Sequence, residues 1–113
     1  MEPIKVNTWW EYLEEHPNFT GCLVDKDNDI AWFKNGKRHR EDGPAWECAN
    51  GYKEWFKNGK LHREDGPALE FANGDKFWYL NGKNYNEQEW LIAMRKIKLE
   101  KVLKNIDNEN NTL

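Results

Sequence analysis

Two stretches of fourteen residues, 23 positions apart, are almost identical in this chain. Residues 32–45 read WFKNGKRHREDGPA and residues 55–68 read WFKNGKLHREDGPA, so that only Arg38 and Leu61 differ. A decayed third copy, WYLNGKNYNEQEW, begins at Trp78, and a decayed half-copy, GCLVDKDNDIA, precedes the first. Units of this size usually bury their apolar side chains only against a neighbouring copy. The repeat therefore predicts an array of one structural unit used several times.

Asn-Gly pairs punctuate the repeats. They occur at 35–36, 50–51, 58–59, 73–74 and 81–82, between runs rich in aromatic or alternating residues. Asn-Gly supplies the two positive-φ positions of a type I′ turn, which is a strong signal for a β-hairpin. We therefore expect a mainly β fold, an antiparallel β-meander of tandem 23-residue hairpin repeats over residues 20–85, with a type I′ turn at each pair.

The strand predicted at 52–57 carries aromatic side chains on both faces. A period of two places Tyr52 and Phe56 on one side and Trp55 on the other. Such a sheet is either covered on both faces or curled so that one face is only partly wet. The equivalent rings Trp32, Trp55 and Trp78 are expected to stack as a ladder, with about 0.5–1.5 kcal/mol per pair beyond area burial.

A short helix is predicted before the repeats, within an N-terminal helical segment at 1–19. Thr8 followed three residues later by Glu11 has the spacing of a capping box. Pro17 ends the segment, because the residue before a proline disfavours helical backbone angles. We expect the helix at about 8–15, with its apolar stripe resting on the start of the sheet.

A long helix is predicted after the repeats. Asn86 and Glu89 again have capping-box spacing, and the run that follows contains neither Gly nor Pro. Its apolar residues predict an amphipathic helix over 86–106, which caps the array or lies along its apolar face. Residues 107–113 are expected to form a frayed tail, and the whole chain, 1–113, to form one domain.

Composition limits the classes of function. The chain has 113 residues and a net charge of −3, which argues against nucleic acid as a partner. No stretch approaches the roughly 18 apolar residues of a membrane span, and the start, MEPIKVNTWW, lacks the apolar core of a signal peptide. We therefore expect a cytoplasmic protein without a membrane span.

No metal or cofactor is predicted. Cys22 and Cys48 lack the paired spacing of a zinc site, and reduced thiols are the default in the cytosol. Whether these two cysteines lie close together is left open. The sequence contains no nucleophile elbow, Walker loop, dinucleotide fingerprint or His-Glu-x-x-His motif.

The repeated pattern W-[FY]-x-N-G-K-x-H-R-E-D-G-P-A, followed by an aromatic strand and a further Asn-Gly, resembles the MORN-type repeat family. It is closer to the variant found in small proteins of bacteriophages and large DNA viruses. The chain departs from the standard pattern, which has more glycines and a Tyr-x-Gly opening. The resemblance implies a β-hairpin array that serves as a platform for protein or lipid contact and carries no catalytic motif. It also implies a viral origin, in which inhibition of host defence would be the role.

The H-R-E-D motif admits a catalytic interpretation, since His39 or His62 beside a carboxylate could act as a general base. Two identical copies at one period are more typical of a scaffold, because an active site is normally assembled once from unlike parts. In the scaffold interpretation the aspartates bond the turn backbone, and Gly43 and Gly66 permit a positive φ. We favour this turn chemistry over a repeated contact strip, and both over hydrolysis.

The contact strip would use arginines and aromatic residues, which are enriched at binding hot spots. Its candidate residues are Arg38, Arg40, Arg63, Trp46, Tyr52, His39 and His62. The first hypothesis is a non-enzymatic protein that binds a host protein and blocks a defence enzyme. The alternative is a binder of a small anionic ligand such as a nucleotide, held between aromatic residues and Arg40 or Arg63.

The long helix adds a hypothesis about assembly. A homodimer formed through it would bury Trp90, Met94 and Ile97. These residues are therefore predicted to form a dimer or helix interface.

Overall fold

The computed structural model describes the backbone of residues 2–111 and the side chains of residues 2–108. The strands in this part of the chain are β1 (Ile4–Lys5), β2 (Gly21–Val24), β3 (Ile30–Lys34), β4 (Lys37–Arg38), β5 (Trp46–Glu47), β6 (Lys53–Glu54), β7 (Phe56–Lys57), β8 (Lys60–Leu61), β9 (Leu69–Glu70), β10 (Lys76–Leu80) and β11 (Lys83–Tyr85). The helices are α1 (Trp9–Glu15) and α2 (Glu87–Asn111). The prediction of a mainly β fold with a short N-terminal and a long C-terminal helix is confirmed.

The strands form one mixed sheet and a separate hairpin. The order across the main sheet is β1-β2-β3-β5-β6-β9-β10-β11, with β4 paired to the second half of β3, and β7 pairs with β8. β1 runs parallel to β2, with Ile4 opposite Leu23, and lies in the segment 1–19 for which only a helix was predicted. All the other strand pairs described are antiparallel. The segment that contains α1 is the crossover that a parallel pair needs. A two-residue strand leaves no alternation in the sequence by which it could be found.

Cross-strand pairs recur with the spacing of the sequence repeat. The pairs, each 23 residues from the next, are Phe33 with Arg38, Phe56 with Leu61, and Tyr79 with Asn84. Each later hairpin tip is bonded to the hairpin before it. The N–H of Gly59 donates to the carbonyl of Arg38 at 2.9 Å, and the N–H of Gly82 donates to the carbonyl of Leu61 at 2.8 Å. Backbone hydrogen bonds therefore join successive hairpins.

Three of the five Asn-Gly pairs form the predicted turn. Asn35, Asn58 and Asn81 have φ of 51–52°, and the glycines that follow have φ of 79–82°. Both central residues thus lie in the left-handed region, as a type I′ turn requires.

The other two Asn-Gly pairs form a different turn. At these pairs only the glycine has a positive φ, 101° at Gly51 and 97° at Gly74. The N–H of Gly51 donates to the carbonyl of Cys48, so the turn begins at Cys48 and the glycine follows it as a bulge. Asn50 stays out of the left-handed region, since its side-chain oxygen accepts the N–H of Tyr52 at 3.0 Å. The prediction of type I′ geometry is wrong at both pairs.

α1 covers one face at the start of the sheet. Thr8 caps it as predicted, its hydroxyl oxygen accepting the N–H of Glu11 at 3.3 Å. The core beneath it consists of Leu23, Ala31 and Phe33, with Val6, Trp9, Tyr12, Leu13 and Phe19 packed around them. The side of the sheet that carries Ala31 and Phe33 is called the front face below.

α2 packs on the opposite side, at the end of the sheet. Its core consists of Leu80, Trp90 and Met94, with Trp78, Tyr85, Ala93 and Ile97 around them. Trp78 and Leu80 alternate with Tyr79, which occupies the repeat position of Phe33, so they belong to the other side, the back face. Aromatic residues on both faces are thus explained, because a different helix covers each face at opposite ends of the sheet.

α2 is longer than predicted. It begins after Asn86, whose side-chain oxygen accepts the N–H of Glu89 at 2.8 Å, while Glu89 Oε1 accepts the N–H of Asn86 at 3.3 Å. The helix continues to Asn111, so the frayed tail predicted from residue 107 is wrong up to that point, and 112–113 lie outside the described residues. The tail sequence contains no Gly or Pro to end the helix. Neither helix of the described chain combines the length and apolarity needed to cross a membrane.

Candidate binding surfaces

His39 is a buried link between successive hairpins. Its Nδ1 accepts the N–H of Asn58 at 2.9 Å, and its Nε2 lies 2.7 Å from Glu41 Oε1. Because a backbone N–H can only donate, the neutral ring carries its proton on Nε2, which donates to Glu41. Only 8% of His39 is exposed. The ring thus holds the next hairpin tip and the carboxylate of its own turn at once.

His62 repeats this arrangement one copy later. Its Nδ1 accepts the N–H of Asn81 at 2.9 Å and its Nε2 donates to Glu64 at 2.9 Å. Lys101 of α2 donates to the same carboxylate at 3.0 Å. Hydrogen bonds from His62 and Lys101 lower the pKa of Glu64 to about 2. The turn of the second copy is therefore tied both to the third hairpin and to α2.

Both ring nitrogens of the two histidines are engaged inside the chain. A general base or a metal ligand needs a free nitrogen lone pair, and here a backbone N–H occupies the Nδ1 lone pair. The described residues include no group of three or more His, Cys, Asp or Glu side chains that could hold a metal ion. The structure places His39 and His62 in turn contacts, the interpretation favoured from the sequence, and beneath the surface rather than in an open contact strip.

Arginine, and not a second aromatic ring, covers two tryptophans of the back face, Trp32 and Trp55. The Cζ of Arg40 lies 4.3 Å from the ring centroid of Trp32, and that of Arg63 lies 3.8 Å from Trp55. Among the described ring pairs, none joins Trp32 to Trp55 or Trp55 to Trp78. The predicted ladder of stacked indoles is therefore wrong, because a guanidinium fills the space over each of these two rings. Such contacts contribute about 0.5–2 kcal/mol each.

The same arginines close the H-R-E-D turns. Arg63 Nε donates to Asp65 at 2.8 Å, and its Nη1 donates to the carbonyl of Pro67 at 2.9 Å and to Glu70 at 3.3 Å. Arg40 makes the matching pair of turn contacts one copy earlier. The fork of donors on a guanidinium suits this double role of bonding a carboxylate and a carbonyl while its plane lies on a ring. The hydrogen bonds of Arg40 and Arg63 thus stabilise the turns of the chain itself.

Gly43 and Gly66 leave room for these guanidinium groups. A Cβ added to Gly43 would lie 2.9 Å from the Cζ of Arg40, and one added to Gly66 would lie 3.0 Å from the Cζ of Arg63. Neither glycine is among the residues with positive φ. The expectation that they serve a left-handed turn is therefore wrong, since their role is space beside the arginine.

A groove of about 990 Å³ runs between the two H-R-E-D turns and α2. Its charged lining consists of the bases Arg40, Lys57, Arg63, Lys98 and Lys101 and the acids Glu41, Asp42, Glu64 and Asp65. Most of these charges are already paired. Lys57 lies 3.3 Å from Glu41 and Lys101 lies 3.0 Å from Glu64, and each arginine holds the aspartate of its own turn. The predicted anion contacts Arg40 and Arg63 thus meet in one groove, but its charge is close to balanced.

Arg38 lies apart from that groove, on the front face. Its guanidinium is 4.0 Å from the ring centroid of Trp46 and 4.7 Å from that of Trp9, and 3.7 Å from Glu54 Oε1. Burial lowers the pKa of Arg38, while burial and the charge of Glu54 raise the pKa of Tyr52 to about 12. Arg38 and Trp46, two of the predicted contact residues, therefore fix α1 to the sheet through Trp9. The third, Tyr52, is partly buried beside Phe71, with ring centroids 4.9 Å apart.

The two cysteines are free thiols in packed surroundings. Cys22 is 2% exposed in the core, and Cys48 Sγ accepts the indole N–H of Trp46 at 2.8 Å. Burial raises the pKa of both thiols. Both are therefore protonated at neutral pH and less reactive than an exposed cysteine.

α2 carries apolar residues on two opposite sides. Trp90 and Met94 are buried against the sheet at 8% and 4% exposure. Leu99 comes nine residues, or two and a half turns, after Trp90, and therefore points away from the sheet. The exposed apolar residues on that side, with 47–65% of each residue exposed, are Ile92, Leu99, Val102, Leu103 and Ile106. These five residues are called the outer stripe below.

The outer stripe corrects two expectations. An amphipathic helix has one apolar side, whereas α2 has two. Trp90, Met94 and Ile97 form the interface of α2 with the sheet of the same chain, so they are not displayed for a second chain. The sequence shows both rows of apolar residues, but one broad row and two opposed rows look alike until the position of the sheet is known.

Basic residues border the outer stripe. Arg95 lies one turn after Ile92 and one turn before Leu99, and Lys96 and Lys98 flank the row between them. All three bases are exposed, and none forms an ion pair with another described residue. The first half of the stripe therefore has a positively charged border without internal compensation.

Comparison of the chain with protein-family models, with curated proteins and with solved structures finds no match. The resemblance to MORN-type repeats therefore stays a prediction from the residues.

Proposed function

We propose that the chain is a non-enzymatic binding protein in which tandem 23-residue hairpin repeats, of MORN-like type, form a platform for a partner protein. The observation that carries the proposal is the outer stripe of α2, whose five aliphatic side chains are about half exposed. A contiguous apolar row of this kind is characteristic of a site of protein contact. The inner side of the same helix is fixed to the sheet through Trp90 and Met94. The outer stripe therefore lies on a helix whose opposite side is packed against the sheet.

The contacts of the H-R-E-D turns support binding over hydrolysis. His39 and His62 each use both ring nitrogens within the chain. Hydrolysis would require breaking the bond from Asn58 or Asn81 to free a base, and with it the contact that holds the next hairpin. A role as scaffold accounts for two identical copies without any such cost.

The partner in this proposal is a host protein. The resemblance of the repeats to those of small phage and large-DNA-virus proteins supports that assignment, and binding would then block a defence enzyme in the host cytoplasm. The assignment of a host protein and the proposed inhibition do not depend on the H-R-E-D groove, because the proposed contact lies on the side of α2 that faces away from the groove.

Affinity capture with three full-length forms of the chain tests the proposal. Leu99→Glu with Ile106→Glu places two charges in the outer stripe. The matched control, Asn105→Glu with Asn108→Glu, places the same two charges on other sides of the same helix. We expect the wild type and the control to capture a protein that the stripe variant does not capture. Circular dichroism should show equal helix content in all three forms. Retention by all three forms, or loss by both variants, would contradict the proposal.

The groove favours a second candidate, a small phosphate-bearing ligand such as a nucleotide. Arg40, Arg63 and three lysines line it together with Trp55 and Trp90. Internal pairing of most of these bases weighs against it, because an anion must displace carboxylates to reach them. Thermal shift separates the two candidates, since a ligand at 100 times its Kd adds about 2.7 kcal/mol of stability. No shift with a nucleotide series would remove this candidate.

A further inference from the structure

The outer stripe has the spacing of one side of a coiled coil. Ile92, Leu99 and Ile106 are seven residues apart, and Val102 and Leu103 follow Leu99 by three and four residues. In heptad terms the first three are a positions and Val102 is a d position, which is the pattern that another helix fills with its own side chains. Over 14 residues at 1.5 Å each, the stripe is about 21 Å long. This length fits about four turns of a partner helix.

Arg95 occupies the remaining d position of this pattern. It lies between Ile92 and Leu99, where a partner helix would bury part of it. A charge in such a place needs an opposite charge facing it, because an unpaired buried charge is costly. Lys96 and Lys98 beside the row also favour acidic residues on the partner helix, since neither lysine has an ion-pair partner among the described residues. The complementary helix must therefore be acidic at this end.

A second copy of the chain does not supply acidic residues opposite Arg95. Paired in parallel, two copies set Arg95 against Arg95 at the same d position. Paired antiparallel with Leu99 against Val102, they set Arg95 against Ile106, which leaves the guanidinium without a carboxylate. Self-pairing therefore either places like charges together or leaves Arg95 without a carboxylate, on a segment, 95–104, that carries five bases and one acid. Charge thus favours a different protein over self-association.

From this combination of spacing and charge we infer that the outer stripe binds an amphipathic helix of the partner protein. That helix has aliphatic residues toward Leu99, Val102 and Ile106 and a carboxylate toward Arg95. The inference rests on the proposed binding function and names the chemistry of the partner. The two helices would cross at about 20°, as in left-handed coiled coils.

Synthetic peptides on the full-length chain provide the test. The acidic peptide has about 18 residues, which spans the stripe with about one turn to spare, with Leu or Ile at the core positions and Glu facing Arg95, Lys96 and Lys98. Its matched control has Lys in place of those Glu residues. Fluorescence anisotropy should give at least tenfold tighter binding of the acidic peptide at low salt, with a smaller preference at high salt. The paired change Arg95→Glu with Lys96→Glu should reverse the preference.

The other outcomes overturn the inference. Equal binding of both peptides means that charge does not select the partner, and no binding of either means that the stripe is not a helix site. A dimer by light scattering that Leu99→Glu with Ile106→Glu converts to a monomer would assign the stripe to a second copy. Failure here is distinct from failure of the proposed function. If capture still yields a partner that depends on the stripe, the binding function stands and only the chemistry assigned to that partner is wrong.

Discussion

Replacing His39 with Ala should destabilise the fold by about 2–4 kcal/mol. The change leaves the N–H of Asn58 without its acceptor at a part-buried site, which costs about 1–3 kcal/mol. It also removes the bond to Glu41 and the packing of a ring that is 8% exposed, for which about 1 kcal/mol more is expected. At the size of this chain, such a loss lowers Tm by about 8–17 °C.

Urea denaturation followed by circular dichroism measures this loss. His62→Ala should behave alike, because its contacts to Asn81 and Glu64 have the same geometry. His16→Ala is the matched control. That ring is exposed and bonds only the carbonyl of Tyr12 at the end of α1, so its loss should cost less than about 1 kcal/mol.

The result that refutes this reasoning is specific. If His39→Ala and His16→Ala lose the same stability, the histidines of the repeat do not hold the next hairpin. Unchanged stability with lost binding of a captured partner would instead move His39 into the contact surface. The single variants are informative, whereas the double variant is expected to approach complete unfolding, since distant losses add.

Three further changes test other contacts. Gly36→Ala should destabilise the fold by at least about 2 kcal/mol more than Gly74→Ala in thermal melts. Both glycines have a positive φ, but only at Gly36 would the new Cβ meet a backbone oxygen, that of Pro17 at 1.8 Å. Equal losses would contradict this. Glu64→Gln should cost stability above pH 5, and the difference from wild type should vanish as the pH falls toward 2, because a lowered pKa stabilises only where the unfolded carboxyl is also ionised. Glu41→Gln, at a more exposed carboxylate, should lose less across the same titration. Asn86→Ala should cost about 1 kcal/mol and reduce helix content, and no change would remove its role as a cap.

Local signals in the sequence predicted the elements well. Three of the five Asn-Gly turns and the caps at Thr8 and Asn86 depend on neighbouring residues, which a sequence displays directly, whereas the strand predicted at 52–57 is interrupted at Trp55. The Asn-Gly dipeptide alone does not determine the turn type, since at Asn50-Gly51 the Asn side chain accepts the N–H of Tyr52 and only the glycine has a positive φ.

Contacts between copies could not be predicted in the same way. The sequence shows that Trp32 and Trp55 recur, but not that Arg40 lies over the first ring. Nor does it show that His39 reaches Asn58, nineteen residues away. Such contacts depend on how one hairpin lies on the next, which is set by the path of the chain through the H-R-E-D turn. The two apolar sides of α2 cannot be separated in the sequence for a related reason, because only the position of the sheet distinguishes them.

The third copy departs from the first two at several positions, and one of these is where the chain enters α2. Asn86 stands where Arg40 and Arg63 stand in the earlier copies, and an amide that starts a helix replaces a guanidinium that covers a ring. Gain or loss of one whole copy in the middle would leave both termini of the array unaltered. The distance between the two helices could then change in fixed steps during evolution, or in the laboratory, while the surface carried by each helix stays the same.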